Sequence, residues 1–295
     1  MNVETVHFYS EGSRLAAHLY LPDGTSAGDK RPGIVLCHGF TGIKEMTLPQ
    51  YARAFAEAGF AALAFDYRGF GESDGSRGRL LWHEQAADIR NAVTYMSTRD
   101  EVDSERLGLW GTSYGGALAP YAFALDERVK ACVGQLGFAD GYAAIASRMP
   151  PEQIEIFRGM IEQDRRSRVL DNAPMFGDAM ALAGDPEMTE YFEEAASELP
   201  QLRDRQIALQ FLEAHLEFSP VSVIERKKER PLLLIAAELD VVCPPEGYKG
   251  LYDRAPEPKK WIVFENMRHF EFYSGESAMR SAAEAVNFFK EYLSN

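Results

Sequence analysis

Cysteine is scarce in this chain of 295 residues, with Cys37, Cys132 and Cys243 scattered and no CxxC pair. A disulfide framework wants an even, patterned set, so the usage points to a reducing compartment. The start, "MNVETVHFYSEGSRLAAHLYLP", lacks the basic and apolar regions of a secretory leader. No window reaches the ~18 apolar residues of a membrane span. Positive charge is short as well: 31 Lys and Arg against 45 Asp and Glu give a net charge of -14. Phosphate backbones and anionic membranes need a basic face, so nucleic acid and membrane are excluded as partners. No H-E-x-x-H or similar ligand spacing occurs, so no metal or other cofactor is expected. Internal repeats and low-complexity stretches are absent too. The expectation is a cytoplasmic protein that meets a small molecule.

What is present is an alternation of strands and helices. "TVHFYS" and "RLAAHLYLP" predict a hairpin around "EGS". "GIVLCHG", "AALAFDYRG", "RLGLWG", "RVKACVGQLG", "RPLLLIAAELD" and "KKWIVFEN" are short apolar runs of the kind a parallel strand buried on both faces requires. "LPQYARAFAEAGF", "HEQAADIRNAVTYMST" and the closing "SAMRSAAEAVNFFKEYLSN" have helical spacing between them. This predicts an α/β fold, a mostly parallel sheet with helices on both faces. From about Asp140 to Ser219 the rhythm breaks and no buried strand is expected. Amphipathic patterns there run through Ile154, Phe157 and Ile161, through Met188, Tyr191, Phe192, Ala195 and Leu199, and through Ile207, Phe211, Leu212 and Leu216. Residues 1–138 and 220–295 are therefore read as the core and 139–219 as an inserted helical cap.

Parallel sheets place ligands beyond the carboxyl ends of their strands. Ser113 follows "RLGLW" within "GTSYGG", Asp240 follows "PLLLIAAEL", and His269 follows "WIVFENMR". The order Ser…Asp…His with G-x-S-x-G describes a nucleophile on a sharp strand-to-helix turn. His269 would take the hydroxyl proton, and Asp240 would hold the imidazole in the right tautomer. The N–H groups of Tyr114 and Phe40, the latter in "HGFTG", are the candidate oxyanion donors. Glu238 and Asp253 compete with Asp240 as the acid. His7, His18, His83 and His215 are misplaced for the base, and His38 is expected to shape the Phe40 loop. Cys243 is expected to pack, not to react.

With "HGF" at 38–40, "DYRGFGESDG" at 66–75 and "GTSYGG" at 111–116, the chain resembles the α/β-hydrolase superfamily. It is similar to bacterial cinnamoyl/feruloyl-type serine esterases and to the catalytic domains of prolyl-oligopeptidase and cocaine-esterase relatives. The resemblance implies a structural, turn-forming role for Asp66 and Asp74. It implies an acyl-enzyme on Ser113, and hydrolysis of a carboxylic ester, thioester or amide of small to medium size. Carbon–carbon bond hydrolysis of a diketone-like compound and acyl transfer use the same residues and stay open, as does a ligand receptor on the same fold. A serine at the nucleophile position argues against haloalkane and epoxide chemistry. Arg268 before the histidine reads either as a contact to a charged substrate or as a solvated side chain. Five methionines in the inserted segment (Met149, Met160, Met175, Met180, Met188) read as a pocket roof or as helix packing. The segment 152–200 carries twelve acids against four arginines, read as a solvated face. A homo-oligomer is left open.

Overall fold

A two-residue turn opens the chain. β1 (Asn2–Ser10) and β2 (Ser13–Leu21) pair antiparallel, and Glu11 and Gly12 between them both have positive φ, the backbone that a tight hairpin demands. The computed structural model describes residues 1–26 and 28–294. β3 (Arg31–Cys37), α1 (Leu48–Glu57), β4 (Ala61–Phe65), α2 (Trp82–Ser97), β5 (Val102–Thr112), α3 (Tyr114–Leu125) and β6 (Val129–Gln135) follow in strict alternation. Then come α4 (Gly141–Ala146), α5 (Pro151–Asp171), β7 (Phe176–Asp178), α6 (Ala179–Ala183), α7 (Pro186–Glu198), β8 (Gln206–Ala208) and α8 (Gln210–Glu217). β9 (Leu232–Ala237), α9 (Pro245–Arg254), β10 (Lys259–Phe264) and α10 (Gly275–Leu293) resume the earlier pattern.

Eight strands form one sheet in the order β1-β2-β4-β3-β5-β6-β9-β10. β2 is antiparallel to β1 and β4, and the remaining neighbours are parallel. Successive residues alternate between two cores, as a period of two requires. Val35, Cys37, Cys132, Leu232 and Leu234 pack on the α2–α3 side. Ile34, Leu36, Val133, Leu233 and Ile235 pack on the α1–α10 side. All three cysteines are buried and unpaired.

The inserted segment leaves and re-enters the sheet at one place. Gly141 N–H donates to the Phe218 carbonyl at 2.8 Å, and Val221 N–H donates to the Ala139 carbonyl at 3.0 Å. One expectation fails inside it: β7 and β8 pair antiparallel as a small second sheet. Ile207, expected on a helix with Phe211, is extended, and its neighbour Ala208 donates to the Gly78 carbonyl at 2.9 Å. Strands of three residues are too short to show a period, so the spacing of Ile207 and Phe211 imitated a helix turn across the β8–α8 boundary.

Candidate active site

Ser113 sits between β5 and α3 with φ 57° and ψ -122°, a strained backbone for a non-glycine residue. Its N–H donates to the Gln135 carbonyl at 2.9 Å, which pins the turn to β6. The surrounding glycines are required by close approach. A Cβ on Gly111, Gly115 or Gly116 would lie 2.1–2.2 Å from the carbonyl oxygens of Gly115, Cys37 and Gln135, respectively. The turn can only be this tight because those three positions have no side chain.

The structure brings Ser113, Asp240 and His269 together from three loops. His269 Nε2 lies 3.1 Å from Ser113 Oγ, and its Nδ1 lies 2.7 Å from Asp240 Oδ2. Asp240 and His269 are buried. The second carboxylate oxygen of Asp240 accepts from the N–H groups of Val242 (2.8 Å) and Cys243 (2.7 Å). Both carboxylate oxygens are therefore committed, and with the imidazole neutral Nδ1 carries the proton, leaving a lone pair on Nε2 toward the serine.

Sequence reasoning missed Tyr273. Its hydroxyl lies 3.1 Å from His269 Nε2, the same distance as Ser113 Oγ. It follows the histidine by four residues on a short 3-10 turn, and no motif marks it. A buried network continues behind it: Thr112 Oγ1 donates to the Tyr273 hydroxyl (3.4 Å), while the Gln135 amide donates to Thr112 Oγ1 and to the Tyr51 hydroxyl (both 3.1 Å).

The Phe40 loop abuts the nucleophile, since a Cβ on Gly39 would lie 3.0 Å from Ser113 Cβ. The N–H groups of Phe40 and Tyr114 donate to no acceptor among the described residues, so both are free to meet an oxyanion. His38 Nδ1 lies 2.9 Å from the Gly39 carbonyl and shapes this loop. Cavities of about 70 and 30 Å³ lie beside Ser113, and Phe40 lines both. The larger is walled by Phe138, Met149, Phe157, Met188 and Phe211, with Arg148 among the lining residues. Of the five methionines, Met149 and Met188 line it; Met160, Met175 and Met180 pack in the surrounding core.

The rival residues lie elsewhere. Glu238 accepts from Asn266 N–H at 2.8 Å, and Asp253 pairs with Lys249 along α9. His7 and His18 lie in the hairpin, and His83 lies in the first turn of α2. Cys243 lines the larger cavity, and burial raises its thiol pKa, which keeps it protonated and unreactive. Arg268 pairs with Glu187 of α7, so it ties the histidine loop to the inserted segment; Tyr191 strengthens that seam by stacking on Phe270 (4.9 Å).

Asp66 holds a different cluster. It accepts from the Lys44 and Glu72 N–H groups (2.7 and 2.9 Å) and from Lys44 Nζ (2.9 Å). Glu45, Asp66 and Glu72 form the one carboxylate group among the described residues close enough to share a cation. The Lys44 ammonium occupies its centre, at 2.5, 2.9 and 2.7 Å from the three. Burial works against that charge, but Asp66 and the two glutamates outweigh it and hold the lysine pKa above its ordinary range.

His38 and His215 are buried as neutral imidazoles. Burial pushes their pKa values down to about 4 and about 3, with the Arg148 charge adding to the effect on His215. Below about pH 6.5 the unfolded chain takes up protons at both positions that the folded protein refuses. Stability is therefore expected to fall as pH falls from about 6.5 toward 4, by roughly 1.4 kcal/mol per unit for each histidine. Urea midpoints at pH 7 and pH 5 test this; equal midpoints contradict it.

A strained serine between strand and helix, joined to a histidine and an aspartate from later loops of a parallel sheet, defines a class. The chain belongs to the alpha/beta hydrolase fold family, whose pattern matches residues 32–276. A 31.7 kDa Escherichia coli protein from the traX-finO intergenic region is 37% identical over 98% of this chain and 99% of that one. The quorum-quenching protein AidA of Acinetobacter baumannii is 28% identical over 98% of this chain and 94% of its own. The thiohydrolase aneE of Aspergillus aculeatus and the polyketide transferase claH of Penicillium crustosum are each 27% identical, covering 96% and 99% of this chain and 91% and 98% of their own. Among solved structures, DcsB in complex with a substrate analogue superposes with a TM-score of 0.87 at 27% identity, covering 100% of both chains. No helix among the described residues is long and apolar enough to cross a membrane.

Proposed function

We propose that this protein cleaves a carboxylic ester or thioester of a small to medium, apolar substrate through an acyl-enzyme on Ser113. The observation that carries the reading is the hydrogen-bonded relay of 3.1 and 2.7 Å from Ser113 through His269 to Asp240. In the first step Ser113 Oγ attacks the acyl carbon while His269 Nε2 takes its proton. The oxyanion forms against the Phe40 and Tyr114 N–H groups. The imidazolium then gives the proton to the leaving oxygen or sulfur, and water repeats the sequence in reverse to free the acid. The segment 139–219 acts as a cap that supplies most of the apolar wall.

Turnover of p-nitrophenyl and thiophenyl esters of increasing acyl length tests this reading. Saturable hydrolysis supports it; a folded protein that hydrolyses none of them overturns it. Asp240→Asn is expected to lower kcat/KM by at least ~10²-fold. The asparagine oxygen stays with the Val242 and Cys243 N–H groups, so its NH₂ faces Nδ1 and enforces the wrong tautomer. An unchanged rate would move the acid elsewhere.

Acyl transfer is a second reading, favoured by the burial of Ser113, which is 8% exposed, and by the relative named a polyketide transferase. A shielded acyl-enzyme excludes water and leaves time for another nucleophile. Added alcohol or thiol acceptors then divert the acyl group to a new ester, and the product ratio measures the partition.

A further inference from the structure

Two side chains lining the larger cavity each carry a polar atom with no hydrogen-bond partner among the described residues. The Tyr114 hydroxyl and His215 Nδ1 are shielded from solvent and make no hydrogen bond among the described residues. Both side chains line the cavity that also holds Ser113. They are 4% and 7% exposed, and their rings lie 5.7 Å apart. None of the other shielded, unpartnered side-chain atoms belongs to a residue lining either cavity beside Ser113.

Native interiors rarely leave a hydroxyl and an imidazole unpaired, because each forfeits its hydration without return. The rings of Phe138 and Phe211 that flank His215 are apolar and cannot supply the missing partner, and Arg148 on the same lining bonds to neither atom. Burial holds His215 neutral and keeps the proton on the Tyr114 hydroxyl. The pair thus offers O–H and N–H donors and lone pairs, with no charge of its own. A neutral oxygen satisfies that set without a countercharge; a carboxylate would instead pair with Arg148, the one charged side chain on the same lining.

We infer that the cavity binds an acyl chain bearing a hydroxyl or ketone oxygen along its length, hydrogen-bonded by Tyr114 and His215. The inference rests on the reading of Ser113 as the residue that accepts the acyl group. It adds a polar requirement to what is otherwise an apolar site. Sites built to pair a substrate oxygen discriminate strongly against analogues lacking it, because their own polar groups are then stranded.

The test compares p-nitrophenyl hexanoate with its singly oxygenated isomers, hydroxyl or keto at successive carbons. At least one isomer is expected to exceed the plain ester by about tenfold or more in kcat/KM. The carbon that wins gives the place of the oxygen, and comparing keto with hydroxyl at that carbon separates ketone from alcohol. In Tyr114→Phe and His215→Leu that ratio is expected to fall toward one, with circular dichroism reporting whether each variant folds. A plain ester preferred over every isomer overturns the inference, and so does a ratio unchanged in both folded variants. Calorimetric binding of the corresponding methyl esters to Ser113→Ala reads the same preference without chemistry. If no ester is turned over but oxygenated methyl esters bind more tightly, the hydrolase reading fails and the oxygen site stands. If esters are hydrolysed with no oxygen preference in either measurement, the oxygen site fails and the hydrolase reading stands.

Discussion

Ser113→Ala is expected to lower kcat/KM for any ester the protein cleaves by at least ~10³-fold while leaving the thermal midpoint close to that of the parent. Removing the hydroxyl removes the group proposed to form the acyl-enzyme, so the loss is expected to fall on the chemical step. The residual rate should reflect the free N–H groups of Phe40 and Tyr114. His269→Ala should behave alike, because a serine without its base is a poor nucleophile at neutral pH. Because these residues act as a unit, the double variant should be little worse than either single one. Steady-state kinetics on the three purified variants decide the matter, and additive losses would argue against a shared step.

The second large effect concerns stability. Lys44→Met is expected to cost about 3 kcal/mol and lower the thermal midpoint by about 5–10 °C. The Lys44 and Asp66 side chains are both fully buried and 2.9 Å apart. Removing the ammonium leaves a buried carboxylate with only the two backbone N–H groups of Lys44 and Glu72 for support. The damage should spread to the Phe40 loop, which Asp66 anchors through residue 44. A midpoint unchanged in calorimetry would show that those two donors suffice. Gly71 reinforces the expectation: a Cβ there would lie 2.2 Å from the Asp66 carboxyl carbon, so the chain is moulded around that charge.

The strands before Ser113 and Asp240 were legible because each ends in an apolar run buried on both faces, whereas β10, before His269, is an edge strand with Lys260 and Val263 exposed, and was legible from its apolar run alone. Ser113, Asp240 and His269 each follow such a run, and loops beyond the carboxyl ends of parallel strands converge. Tyr273 left no trace, because its relevance comes from a single 3-10 turn that returns its hydroxyl to His269. Arg268 was ambiguous for a related reason: its partner, Glu187, lies 81 residues away on α7. The small β7–β8 sheet was invisible at three residues per strand. His215 was visible only as a histidine in the inserted segment. That its ring lies beside that of Tyr114 on the cavity lining follows from how α8 meets the start of α3, which no local pattern encodes. Local spacing thus identified groups attached to the sheet, and failed wherever the inserted segment meets them.

The central claim is that Ser113 is the nucleophile, and intact-protein mass after exposure to a fluorophosphonate probe tests it most directly. The account predicts one added phosphonyl group per chain, mapped to the peptide containing Ser113 and absent in Ser113→Ala. Label at another residue, or none on a folded protein whose cavity admits the probe, would contradict it.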